Sequence, residues 1–145
     1  MRVSDILRQK GAEVATIDAD CSLAEAAQVL SVRNLGALVI AADGCHIDGI
    51  VSERDIVRHL AEHGPDGFAD PVSRVMTVDV LTCRRGDPID HLMAVMTDRR
   101  VRHLPVLDDS GNLDGLVSIG DVVKRRVEEL EIENDHLHDY LQSGR

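Results

Sequence analysis

The chain has 145 residues, enough for one compact domain or two half-domains sharing a core, and its 43% hydrophobic content can fill that core. Its formal charge of −10 repels a phosphate backbone, and with Phe68 and Tyr140 as the sole aromatics it has no platform for stacked bases, which argues against polymeric nucleic acid as a partner. No apolar run approaches the roughly 20 residues of a membrane span, and the start Met1-Arg2-Val3-Ser4-Asp5 lacks a signal-peptide core, so a soluble, cytoplasmic protein with no membrane partner is expected.

Val3 to Leu7 reads as a lead-in turn, followed by a strand over Val14 to Ile17. Ser22 with Glu25 three residues on forms a capping box for a helix whose buried stripe is Leu23, Ala26, Ala27 and Leu30. The β-rich run Ala37 to Ile40, a turn at Asp43-Gly44 and a returning strand Ile47 to Val51 lead into a helix that Ser52 initiates. Gly64-Pro65-Asp66-Gly67 ends that helix. Val72 to Met76 is a second lead-in, and the order then repeats. A strand over Val80 to Cys83 precedes a helix started by Asp87-Pro88, with the stripe Ile89, Leu92, Met93 and Met96. Strands Leu104 to Leu107 and Leu113 to Val117 flank the turn 108–112, and Ser118 starts the last helix. Only the first lead-in carries three extra residues, around Lys10-Gly11. From Val123 the positions Val127, Leu130, Asn134, Leu137 and Leu141 alternate four and three apart, as a dimeric heptad seam does, with Asn134 its one polar member.

This order reflects an internal repeat. Gly49-Ile50-Val51-Ser52-Glu53-Arg54-Asp55-Ile56-Val57 returns 66 residues later as Gly115-Leu116-Val117-Ser118-Ile119-Gly120-Asp121-Val122-Val123, and residues 14–60 against 80–126 share 12 identities in 47 positions. The boundaries expected are a first repeat over 1–63, a linker over 64–71, a second repeat over 72–128 and a helical extension over 129–145.

Ser52-x-x-Asp55 and Ser118-x-x-Asp121 sit where a strand passes into a helix, so serine is the N-cap and aspartate the N3 residue. A carboxylate held there, beside free backbone N–H groups, can also accept hydrogen bonds from two vicinal hydroxyls, as a ribose presents. Arg99-Arg100-Val101-Arg102-His103 then crowds cations suited to phosphate oxygens, whereas the first repeat has Arg33-Asn34-Leu35-Gly36-Ala37. The halves are not equivalent sites. A hydrolytic set of serine, His103 and aspartate is disfavoured, because neither serine stands in a G-x-S-x-G elbow. His59 and His63 at i, i+4 lack a third ligand, so no metal is expected, and Cys21, Cys45 and Cys83 form no C-x-x-C pair, which favours reduced thiols.

The doubled G-h-V-S-x-x-D-h-V motif, the Arg102-His103-Leu104-Pro105-Val106 strand and the β-α-β-β-α order resemble a tandem pair of cystathionine-β-synthase (CBS) domains, or Bateman module, over residues 1 to about 128. The resemblance implies an α+β fold of two β-α-β-β-α repeats about a pseudo-twofold axis, here with an extended C-terminal helix, and adenosyl ligands in the clefts between repeats. It implies Asp55 and Asp121 as ribose acceptors, Ser52 and Ser118 beside them, Arg102 and His103 at the phosphate, Thr16 and Thr82 lining the adenosine pockets, and Arg54 as an extra phosphate ligand. AMP is the first ligand expected, with ATP, ADP or NAD as alternates. Because Asp121, Arg102 and His103 share the second repeat, the stronger site is expected there. The function implied is that of a regulatory sensor with no catalytic cofactor, a homodimer acting on a protein that the sequence does not name. A ligand-free dimerisation scaffold is the alternative.

Overall fold

A computed structural model describes residues 1–143; of the expected C-terminal extension, 144 and 145 lie outside the described residues. The elements are α1 (Val3–Lys10), β1 (Thr16–Ile17), α2 (Leu23–Arg33), β2 (Ala37–Ile40), β3 (Gly49–Ser52), α3 (Glu53–His63), β4 (Cys83–Arg84), α4 (Ile89–Arg99), β5 (His103–Leu107), β6 (Leu113–Ser118) and α5 (Ile119–Ser143), with 3-10 turns at Pro65–Ala69 and Val72–Arg74. They build two three-stranded sheets, β1-β2-β3 and β4-β5-β6, each with one parallel and one antiparallel pair. This is the expected α+β pair of repeats, and the 66-residue offset carries α2 onto α4 residue for residue. None of the described helices is long and apolar enough to cross a membrane.

Local chemistry explains where the elements stop. Ser22 accepts the Glu25 N–H at 3.1 Å and Ser52 the Asp55 N–H at 3.3 Å, so both helices begin on a side-chain cap. The helices α2 and α4 end on Asn34 (φ 53°) and Arg100 (φ 54°), matched residues that both turn left-handed. The first strand of each repeat is cut to two residues, because each is an edge strand pairing with two residues of its neighbour: β1, Thr16–Ile17, lies within the expected Val14 to Ile17, whereas β4, Cys83–Arg84, meets the expected Val80 to Cys83 only at Cys83. Residues 80–82 instead run as irregular chain.

The sheets bury β2 completely, with Leu38, Val39 and Ile40 at 0% exposure, against α2, α3 and Val72. The second core joins β4, β5, β6 and α4 to Val3, Ile6 and Leu7. The lead-ins are therefore exchanged. Helix α1 opens the first repeat but packs into the second core, with Val3 and Ser4 donating to the Asp87 and Arg85 carbonyls; Val72, Val75 and Met76 open the second repeat but pack on the first. The N–H groups of Val72 and Ser73 donate to the carbonyls of Cys21 and Ala19. Two glycines permit these approaches. A Cβ at Gly49 would lie 2.8 Å from Met76 Sδ, and one at Gly115 would lie 2.8 Å from Leu7 Cδ2.

The final helix runs without a break from Ile119 to Ser143, about 37 Å at the usual rise. Val122 and Arg125 face the globule, Arg125 donating to Glu128 and to the Asp5 carbonyl of α1. The seam faces the other way: Val127, Leu130, Leu137 and Leu141 are 46–62% exposed.

Candidate functional site

The two motif helices start in the same way. Glu53 N–H donates to the Gly36 carbonyl at 3.0 Å, and its counterpart Ile119 N–H to the Arg102 carbonyl at 2.8 Å, tying each helix start to the loop before its own central strand. Asp55 Oδ2 accepts from the Ser52 N–H at 2.8 Å and the Ser52 hydroxyl at 3.0 Å; Asp121 Oδ2 accepts from the Ser118 N–H at 2.9 Å. Both aspartates thus fill the N3 role of a capping pair, which fixes their position and leaves lone pairs over.

The surroundings of the two differ. Lys10, the last residue of α1, donates to Asp121 Oδ2 at 2.7 Å and to the Leu116 carbonyl at 3.0 Å. Its ammonium, with the serine bonds, outweighs the burial that would raise the Asp121 carboxyl, and holds it below the usual carboxylate range. Asp55 has no such cation among the described residues, because the corresponding lead-in of the second repeat lacks the three extra residues that carry Lys10 to its partner. Here the chain pairs Thr77 with Ile50 on the free edge of β3, through N–H···O bonds of 3.0 and 2.9 Å, and continues along the rim of a cleft.

That cleft measures about 570 Å³, within the range of small-molecule sites. It brings together Ser52, Arg54 and Asp55 of the first repeat with Arg102, His103 and Ser118 of the second. Asp121 lies outside its lining. Thr82 borders a shallower recess with His46 and Leu107, and Thr16 pairs with Val39 in β1, away from both. His103 is the link between halves: a Cβ on Gly36 would lie 3.1 Å from its Nε2, so glycine there makes room for the imidazole. Burial, followed by the nearby Lys10, pushes the His103 pKa below its ordinary value; Asp121 and Glu53 oppose this only partly. The ring is therefore neutral at neutral pH.

Several lining residues have no counterpart among the residues singled out from sequence. Arg58 follows Arg54 by one helical turn, a spacing that places both on one face. Thr77, Asp79 and Leu81 reach the cleft only because the lead-ins are exchanged. Outside the site, His59 and His63 stack at 4.2 Å, and His59 Nε2 meets Asp70 Oδ2 at 2.7 Å, fastening α3 to the linker.

Two β-α-β-β-α repeats with a cleft at the starts of their motif helices are the architecture of a CBS pair. The CBS domain model matches residues 3–62 and 72–128, and the chain belongs to the CBS-domain family. A CBS-domain-containing protein of Agrobacterium tumefaciens is similar at 42% identity and TM-score 0.83, over 87% of this chain and 99% of that one. A CBS domain protein of Pyrobaculum aerophilum, solved with AMP, is 26% identical with TM-score 0.78, over 92% and 99%. The CBS domain pair of protein MJ0100, solved with 5′-methylthioadenosine and S-adenosyl-L-methionine, is 27% identical with TM-score 0.78, over 89% and 98%.

Proposed function

We propose that the chain is a regulatory sensor that binds an adenine nucleotide in the 570 Å³ cleft, with the ribose hydroxyls on Asp55 and the phosphate toward Arg54, Arg102 and His103. AMP, ADP, ATP and NAD are the candidate ligands. The observation that carries this reading is that an aspartate with no ion-pair partner among the described residues and a set of arginines meet in one cleft built from both repeats. The AMP and S-adenosyl-L-methionine complexes of the similar proteins support the adenosyl part. Sequence reasoning favours one strong site per chain at Asp121; the Lys10 ammonium at 2.7 Å shifts that one site to Asp55 in the proposal. A role without catalysis is supported by the serines, whose hydroxyls are engaged in capping. Because the cleft joins both repeats, ligand binding alters their relative position by differential affinity between arrangements.

The chain acts as a homodimer in this proposal, its partner copy covering the outward seam of α5, and passes the ligand signal to a further protein. Calorimetry with AMP tests the site. Asp55→Ala should weaken binding by about 10- to 100-fold, corresponding to charge-assisted bonds of about 1.5–3 kcal/mol, while Asp121→Ala should change it by less than about threefold. The reverse order of losses would return the ribose to Asp121.

A further inference from the structure

With Val127, Asn134 and Leu141 at the a positions of the α5 heptads and Val123, Leu130 and Leu137 at d, the e positions fall on Lys124, Glu131 and His138 and the g positions on Arg126 and Glu133. All but Arg126 are exposed, and Arg126 is only part covered. From Val127 to Ser143 the helix carries six carboxylates and no Lys or Arg, so the acids beside the seam find no cation further along their own helix. Glu131 and Glu133 have no ion-pair partner among the described residues. Valine at a with leucines at d suits a two-stranded pair.

We infer that two copies of α5 lie parallel and in register, which sets the second repeats of the two chains side by side; the inference rests on the homodimer reading above, which leaves the direction of the helices open. In a parallel pair each g residue faces the e residue five positions on in the other strand, so Arg126 meets Glu131 of the second copy and Glu133 meets its His138, each contact occurring twice by symmetry. Arg126 already donates to Glu129 of its own helix, but a guanidinium has five N–H donors and can take a second carboxylate. His138 is also prepared. The Gln142 amide donates to its Nε2 at 3.0 Å, so the neutral ring carries its proton on Nδ1 and can give it to a carboxylate. Asn134 faces its own mate. In the antiparallel pair that overlaps the whole seam, e meets e and g meets g: Glu131 and Glu133 each oppose their own copies, and Asn134 is set against Leu130. Charge and polarity select the same direction. Each α5 starts at Ile119, directly after β6, so parallel helices hold both second-repeat sheets at one end of the dimer.

Disulfide mapping reads the direction. In a Cys45→Ser background, which removes the exposed native thiol, the variant Val123→Cys/Leu141→Cys should on mild oxidation link position 141 to position 141 and give no link between 123 and 141. Along one helix these positions lie about 27 Å apart, and the antiparallel pair alone brings them together across the seam. Charge exchange gives a second readout on the otherwise unsubstituted full chain. Glu131→Arg sets arginine against Arg126 and should raise the dimer dissociation constant about threefold or more in sedimentation, and Arg126→Glu/Glu131→Arg should bring it back toward the parent value. Links between 123 and 141, or a double variant no better than Glu131→Arg, overturn the parallel inference and leave the dimer standing. A dimer that forms neither link places the interface off the seam and overturns the inference as well. A monomeric unsubstituted protein overturns the homodimer reading itself, and the inference with it.

Discussion

At His103 the repeats meet side chain to backbone, and the imidazole is neutral because burial and the Lys10 charge disfavour its protonated form. Its folded pKa lies below the ordinary histidine value that it regains on unfolding. The stability it contributes is complete above that ordinary value of about 6.5 and declines as pH falls through it, since the unfolded chain binds the proton more readily. His103→Gln should therefore lose less thermal stability than the parent between about pH 7.5 and pH 5. Melting curves at the two pH values check this, and equal losses would show that the ring is not protected. At this scale much of the site was legible. The Ser52 and Asp55 pairing follows from helix-start chemistry, and Arg102 and His103 from a basic cluster in an acidic chain. What could not be read was which aspartate stays free, because that depends on a lysine 111 positions from Asp121.

The decisive element is α1. Its hydrophobic positions announce a helix or turn with one buried face, but periodicity says which face is buried and not which core receives it. The sequence suggests two matching lead-ins; the structure crosses them over. The extra residues around Lys10, visible as a break in the repeat register, extend α1 by the length needed to set an ammonium on Asp121. Lys10 and Asp121 are both part exposed, at 40% and 25%, so the pair is worth no more than about 1 kcal/mol. Displacing it would cost a ribose at Asp121 at most about fivefold in affinity. Lys10→Ala should accordingly strengthen AMP binding at Asp121 by no more than about that factor and leave the stoichiometry at one per chain, because Asp121 lies outside the lining of the cleft. A stoichiometry that rises to two would show that this lysine alone keeps a ligand from Asp121. The strands other than β4 were legible in place but not in length, because an edge strand ends where its neighbour stops offering partners, a tertiary fact.

For the molecule as a whole, α5 presents Val127, Leu130, Leu137 and Leu141 outward with Asn134 among them, a face that no other described residue covers. Removing the residues after Glu131 deletes the second half of that seam and leaves the contacts of Val122 and Arg125 intact. About two heptads hold a dimer weakly by themselves, so truncation should raise the dimer dissociation constant without abolishing association. Sedimentation velocity over a concentration series measures this. A monomeric full-length protein would refute the dimer, and an unchanged constant after truncation would confine the interface to the globule.

The crossed lead-ins also bear on how the chain comes to be folded. As it leaves the ribosome, the first repeat has its sheet and helices complete by His63, but its own core still lacks Val72, Val75 and Met76, while Val3, Ile6 and Leu7 have no core to enter until β6 is made. The first core can close once Met76 is made, whereas the second cannot close without α1. That early segment must wait, apolar face exposed, through the synthesis of more than a hundred residues, and the second core closes on it last. Repeats that look independent on paper are in this respect one cooperative unit, in which damage to either half withdraws a wall from the other.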